Sequence, residues 1–259
     1  MNAIIIGTLI PLLGTTLGSA CVFLVKNKLN RNFEKFLLGF ASGVMIAASI
    51  WSLLIPALDI AQSSMKAYWI PASIGFIFGV LFLLLLDHLI PHLHQDSKQA
   101  EGPKSSLSES IKLFLAITIH NIPEGMVVGV VLAGAINQHH ILTITSALAL
   151  SIGIAIQNFP EGAILSLPLK SKGYSKKHAF LFGMLSGVVE PVSALLTILF
   201  TTFIHPILPY ILAFAAGAMI YVVIEELIPD AHSDDHNDFS VIGVTLGFVL
   251  MMILDISFG

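Results

Sequence analysis

The sequence predicts an all-α membrane protein of eight transmembrane helices, and three observations carry that prediction. Of 259 residues, 56% are hydrophobic and only 11% are charged, with a mean hydropathy of +0.90, whereas soluble domains carry roughly 25% charged residues. Eight stretches reach the ~20 mostly apolar residues that a spanning helix needs, at about 3–25, 36–60, 69–90, 111–135, 141–166, 178–201, 207–228 and 240–257. The Lys and Arg residues collect between those stretches on alternate connections, as the positive-inside bias of membrane proteins requires.

Taken in order, the first stretch carries no charge, has no Lys or Arg before it, and is followed by Lys26, Lys28 and Arg31. A signal peptide has the opposite charge order and a shorter core, so no cleavage is expected. Lys26, Lys28, Arg31 and Lys35 lie between helices 1 and 2, Lys98, Lys104 and Lys112 between 3 and 4, and Lys170, Lys172, Lys176 and Lys177 between 5 and 6. Only Lys66 falls on the other face, which predicts that both termini are extracytoplasmic. The connection between helices 7 and 8 lacks positive charge, a weak exception because acidic residues contribute little to the rule. A flexible cytoplasmic loop is expected at about 92–110, where Ser, Lys, Glu, Gly and Pro accumulate, within a single transmembrane domain over 1–259. Gly-x-x-x-Gly pairs (Gly14/Gly18, Gly39/Gly43, Gly75/Gly79, Gly125/Gly129, Gly183/Gly187, Gly243/Gly247) predict closely packed helix backbones.

Several function classes drop out. One cysteine, Cys21, excludes a disulfide framework and a Cys-rich zinc site. No basic patch for nucleic acid and no phosphate-cradling G-x-x-x-x-G-K-[ST] loop is present, so neither nucleic acid nor nucleotide is an expected partner. His-Glu-x-x-His and Gly-x-Ser-Gly are absent too, which argues against an intramembrane protease and for a chain that is not an enzyme.

Polar groups inside a bundle are costly unless paired or hydrated, so they mark a pathway, a relay or a ligand site. The strongest such signal is a repeat: His120-Asn121-Ile122-Pro123-Glu124-Gly125 in helix 4 and Gln157-Asn158-Phe159-Pro160-Glu161-Gly162 in helix 5. In each copy the first residue and the Glu are four positions apart, on one helical face, which makes a bidentate half-site. Each Pro removes a backbone N–H and is expected to loosen the turn before it, freeing the carbonyls of Ile119 and Ile156. Counted from the Lys-rich ends, His120, Gln157 and Met45 of helix 2 lie at similar depth, with Glu190 of helix 6 slightly deeper, so the two half-sites should face one another in one layer. An imidazole, a thioether, amides and three carboxylates suit a divalent transition metal. A proton or sodium relay and a purely structural hydrogen-bond network are the alternatives that residue chemistry leaves open.

HNIPEG paired with QNFPEG, GVVEP in helix 6 and IEELIP in helix 7, within eight spans, resemble the ZIP family of divalent-metal transporters, and specifically its prokaryotic GufA-like branch. The resemblance covers nearly the whole chain and implies a bundle of the ZIP type. It implies a central metal site, holding up to two ions, formed by Met45, His120, Asn121, Glu124, Gln157, Asn158, Glu161 and Glu190, with Glu124 and Glu161 as bridging carboxylates. Ser52 and Asp59 follow Met45 at seven-residue intervals on one face of helix 2, where the family places its entrance. Asp87, His88, His92 and His94 finish helix 3, and Glu225, Glu226, Asp230 and His232 finish helix 7; these form the expected exit path, with Glu225 and Glu226 matching the family's inner site. The His92/His94 loop is expected about two helical turns, roughly 11 Å, from the central layer. Asp255, Cys21, Trp51 and Trp69 read as packing or interface residues.

The function expected from these readings is uptake of Zn2+ toward the cytoplasm, with Cd2+, Fe2+ or Mn2+ sharing the route. The setting is a multi-pass protein of a prokaryotic cytoplasmic (inner) membrane. The competing class is a cation/proton exchanger in which the intramembrane Glu residues cycle protons. The resemblance further implies a homodimer and an elevator-like movement of helices 1, 4, 5 and 6 against 2, 3, 7 and 8.

Overall fold

The computed structural model of the chain describes residues 2–24, 30–63, 65–92, 102–136, 142–200, 207–232 and 238–258. Their regular elements are all helices, and eight are long and apolar enough to cross a membrane: α1 (Asn2–Leu24), α2 (Arg31–Gln62), α3 (Trp69–Leu89), α4 (Glu109–Ile136), α5 (Ile144–Ser171), α6 (Lys176–Leu199), α7 (Leu208–Ala231) and α8 (Asp238–Phe258). The chain is a multi-pass membrane protein.

The helix ends depart from the apolar stretches for local reasons. α2 begins earlier because Asn30 caps it, its side chain accepting from the Asn32 N–H at 2.9 Å. Thr143 and Ser146 form a reciprocal capping box that starts α5, and Ser175 caps α6. α5 runs on to Ser171 and stops at Gly173, whose φ of +95° gives the left-handed residue that ends many helices. Lys172 at this end bonds Glu109 at the start of α4 at 3.0 Å. Lys176 at the start of α6 donates to the Phe23 carbonyl at the end of α1 at 3.2 Å. The Lys-rich ends therefore lie together.

Contacts sort the helices into two groups. α1, α4, α5 and α6 pack among themselves, as do α2, α3, α7 and α8, with α2 against α5 and α4 against α7 joining the groups. The glycine pairs set these contacts. A Cβ at Gly14 or Gly18 would strike the backbone of Ala155 or Phe159 on α5, and one at Gly43 or Gly247 would strike the α8 or α2 backbone. With no hydrophobic drive between helices in lipid, such close van der Waals approach is what holds the pairs together.

The helices are interrupted, but not where the repeated motif suggests. α4 and α5 remain α-helical through Pro123 and Pro160. π-helical turns occur instead at Ser49–Leu54 in α2 and Val223–Leu227 in α7, each running up to the turn that holds the next Pro, Pro56 or Pro229. There the Ile55 N–H reaches back to Ile50 and the Ile228 N–H to Val223, the wider spacing that accommodates a ring which would otherwise press on the carbonyl four residues earlier. α6 breaks at Val188, three residues before Pro191. Each break carries side chains singled out above: Ser52, Glu190, and Glu225 with Glu226.

Candidate metal centre

The two copies of the repeat meet through their unlike residues. Gln157 of α5 donates from Nε2 to Glu124 Oε1 of α4 at 2.7 Å, so the bond joins the copies rather than closing a half-site within one helix. Glu124, Gln157 and Asn158 have no solvent exposure. Glu124 Oε2 and Gln157 Oε1 are left without a hydrogen bond. A buried polar atom without a partner costs ~1–3 kcal/mol, and here two acceptor oxygens are orphaned in one layer, a donor set suited to a cation.

The glycine of each copy brings a further helix in. A Cβ at Gly125 would strike the Glu190 carbonyl and Ser193 of α6, and one at Gly162 would strike Thr15 and Ser19 of α1. Glu190 is thereby drawn into the layer, fully buried, with Oε1 accepting from the Thr15 hydroxyl at 2.8 Å and Oε2 unpartnered. Asn158 lies beside both Glu124 and Glu190 without a hydrogen bond of good geometry to either. Asn121 donates to the Ser186 carbonyl at 3.0 Å, just before the break in α6.

His120 and Glu161 face the other way along the pathway. His120 Nε2 pairs with Glu226 of α7, and Asp87, His120 and Glu226, all buried, each offer a ligand atom within 4.8 Å of the others. His92, fully buried, places Nε2 3.7 Å from Asp87 Oδ1 and turns Nδ1 to the Ile90 carbonyl at 2.8 Å. Glu161 lines a cavity of about 40 Å³ with His120, Glu226, Leu113, Val222 and Asp230, above the ~10–15 Å³ that one water requires. The carboxylates and the imidazole supply the polar part of its wall, and the rest is largely apolar.

The expected exit path thus divides. Asp87 and Glu226 abut His120, with His92 beside Asp87, instead of forming a station two turns away. Within the π turn at Val223–Leu227, Glu226 is buried while Glu225 is exposed. Asp87 and His88 likewise point apart, since His88 is exposed and bonds the Leu84 carbonyl of its own helix. His232 is exposed and reaches Ser240 at 3.1 Å, and Asp230 is half-buried at the cavity's far end. His94 lies outside the described residues. On α2, Met45 is fully buried within the main apolar cluster, Ser52 is buried, and Asp59 is exposed.

Three residues join this network that the sequence reading left aside. Asp255 of α8, taken for packing, is buried and accepts from Ser52; an acidic residue in an apolar span is itself the signal that was passed over. Thr15 bonds Glu190, and Tyr221 donates to Asp87 Oδ2. A Thr and a Tyr in apolar helices carry no comparable signal.

Known proteins resemble this chain over nearly all of its length. The family profile described as "ZIP Zinc transporter" matches residues 110–255. "Zinc transporter ZIP11" of Xenopus tropicalis is 37% identical over 98% of this chain and 97% of its own. "Zinc transporter GufA" of Myxococcus xanthus is 36% identical over 100% of both, and "Zinc transporter ZIPB" of Bordetella bronchiseptica is 37% identical over 86% of this chain and 71% of its own. With full-length relatives, the matching profile and eight spans together, the chain belongs to the ZIP family.

Proposed function

We propose that this protein carries divalent transition-metal ions, zinc foremost and cadmium, iron or manganese less selectively, across a prokaryotic cytoplasmic membrane toward the cytoplasm. The observation that carries the reading is the meeting of Asp87, His120 and Glu226 within 4.8 Å, next to a layer in which Glu124, Gln157, Asn158 and Glu190 each have one side-chain oxygen without a hydrogen bond. Imidazole with carboxylates suits zinc and its neighbours, and the relatives' printed names support zinc as the substrate. The two adjoining groups of ligands support up to two ions at once, with Glu124 and Glu161 between them. Ser52, Asp59 and Met45 lead in from one side, and Asp230, Glu225, His88, His92, His94 and His232 lead out on the Lys-rich side. The charge bias makes that side, the loop at about 92–110 included, cytoplasmic. The protein works as a carrier rather than an enzyme, in a homodimer.

Purified full-length protein in proteoliposomes tests this. Zinc uptake should saturate, and cadmium, manganese and iron should compete. Proton flux that zinc neither drives nor saturates would instead establish a cation/proton exchanger. Cysteines introduced at Lys66 and Lys104 should react with an impermeant thiol reagent from outside and inside respectively; reversed labelling overturns the direction but leaves the metal site standing.

A further inference from the structure

Four buried carboxylates share a pattern. Glu124 accepts from Gln157, Glu190 from Thr15, Asp87 from Tyr221 and Asp255 from Ser52, and in each case one oxygen takes the bond. The other oxygen of all four, Glu124 Oε2, Glu190 Oε2, Asp87 Oδ1 and Asp255 Oδ2, is buried without a hydrogen bond. Every donor is a neutral amide or hydroxyl. Such a donor orients the carboxylate and occupies one of its oxygens without bringing a positive charge of its own, so a cation would meet the other oxygen.

Resting on the zinc reading above, we propose that Thr15 and Tyr221 are specificity-determining positioning residues. By tying up one oxygen each of Glu190 and Asp87, they confine these carboxylates to single-oxygen ligation and disfavour calcium. Zinc needs only about four ligands and takes one oxygen from a carboxylate readily. Calcium seeks 6–8 oxygens and commonly takes both from one carboxylate. Withdrawing one oxygen from each ligand therefore weakens calcium more than zinc. The pathway needs this discrimination, because a buried layer holding Glu124 and Glu190, with Glu161 on the adjoining cavity, would otherwise attract any divalent cation.

Both donors are held in place. Thr15 sits between glycines: a Cβ at Gly187 would come within 2.9 Å of Thr15 Oγ1 and of Glu190 Oε1, and Gly162 abuts the Thr15 carbonyl. Tyr221 packs its ring against the main apolar cluster and extends its hydroxyl to Asp87 Oδ2; the other oxygen has His92 Nε2 at 3.7 Å, and Asp87 adjoins the His120–Glu226 pair.

The test uses Thr15→Val and Tyr221→Phe, which remove only the hydroxyls, with Thr15→Ser as the conservative control, all in proteoliposomes of monodisperse full-length protein. Zinc KM and kcat and the calcium concentration that halves zinc uptake are measured for each. In both variants calcium should inhibit at about tenfold lower concentration relative to zinc KM, the scale of effect seen when an outer-shell partner is removed, and Thr15→Ser should restore the wild-type ratio. If zinc and calcium weaken in parallel, or only kcat falls, the two hydroxyls serve structure alone and the proposal is overturned. Wild-type protein that moves no zinc overturns the proposed function itself, an outcome visible before any variant is compared.

Discussion

Six-residue segments of α4 and α5 share Asn, Pro, Glu and Gly in the same order and differ in sense at the first position, His120 against Gln157. Their carboxylates nonetheless live differently. Glu124 is fully buried and held by Gln157 at 2.7 Å, whereas Glu161 makes no hydrogen bond among the described residues and lines the cavity with His120 and Glu226. The first residue of each copy explains the difference. Gln157 supplies a neutral donor that crosses to the other copy's Glu, while His120 turns Nε2 to Glu226 and lies within reach of Asp87. A duplicated motif here yields one carboxylate tied by a hydrogen bond and one without such a tie, which on the proposed reading suits a carrier that must both hold its ion and release it.

Removing either carboxylate should have the largest effect. On the proposed reading, Glu124→Ala and Glu161→Ala each delete a charge-compensating ligand within the membrane, and saturable zinc uptake should fall by about 100-fold or more in both. The comparison is sharpened by conservative variants: Glu161→Asp, shortening an untethered side chain, should retain more uptake than Glu124→Asp, which also breaks the Gln157 bond. Equal retention would show that tethering makes no difference to how the two act.

Exchanging the first residues gives the next largest effect. If the copies were equivalent, His120→Gln combined with Gln157→His would preserve the ligand set and hence uptake. Because His120 faces Glu226 and Gln157 faces Glu124, the exchange puts an imidazole in the dry layer and an amide on the cavity. Uptake should fall at least about tenfold, as far as in His120→Ala. Wild-type uptake by the exchanged protein would erase the distinction between the copies.

The eight spans were legible because length and apolarity are properties of consecutive residues, and the acidic residues of the centre because charge in an apolar helix stands out. What escaped was rotational. A π turn that holds Glu225 and Glu226 precedes Pro229, yet Pro123 and Pro160, equally visible, leave α4 and α5 regular, so a proline alone does not tell which turn widens. The partners of the carboxylates escaped for a related reason. Thr15 is joined to Glu190 by the close approach that Gly162 and Gly187 permit, a property of three helices at once. That His92 lies against Asp87, which in turn meets His120 across the bundle, is likewise a matter of how α3 faces α4 and α7.

The smallest expected effect concerns the asparagines, which occupy the same place in each copy. Asn121 donates to the Ser186 carbonyl at 3.0 Å and so ties α4 to α6 where α6 breaks. Asn158 completes no hydrogen bond and lies between Glu124 and Glu190. Asn121→Ala should therefore lower stability, by about 1 kcal/mol for an interhelical bond within a membrane, seen as earlier thermal unfolding in detergent while zinc affinity changes little. Asn158→Ala loses an uncharged ligand and no bond, so zinc affinity should weaken only a few-fold, about 1 kcal/mol or less, well short of the loss expected for a Glu. Its unfolding temperature should stay near that of the wild type. Thermal unfolding and equilibrium zinc binding measured on both variants separate the roles. A loss of zinc affinity in Asn121→Ala as large as that in Asn158→Ala would mean that Asn121 is a ligand despite its bond to α6, and that the two copies are more alike than their hydrogen bonds imply.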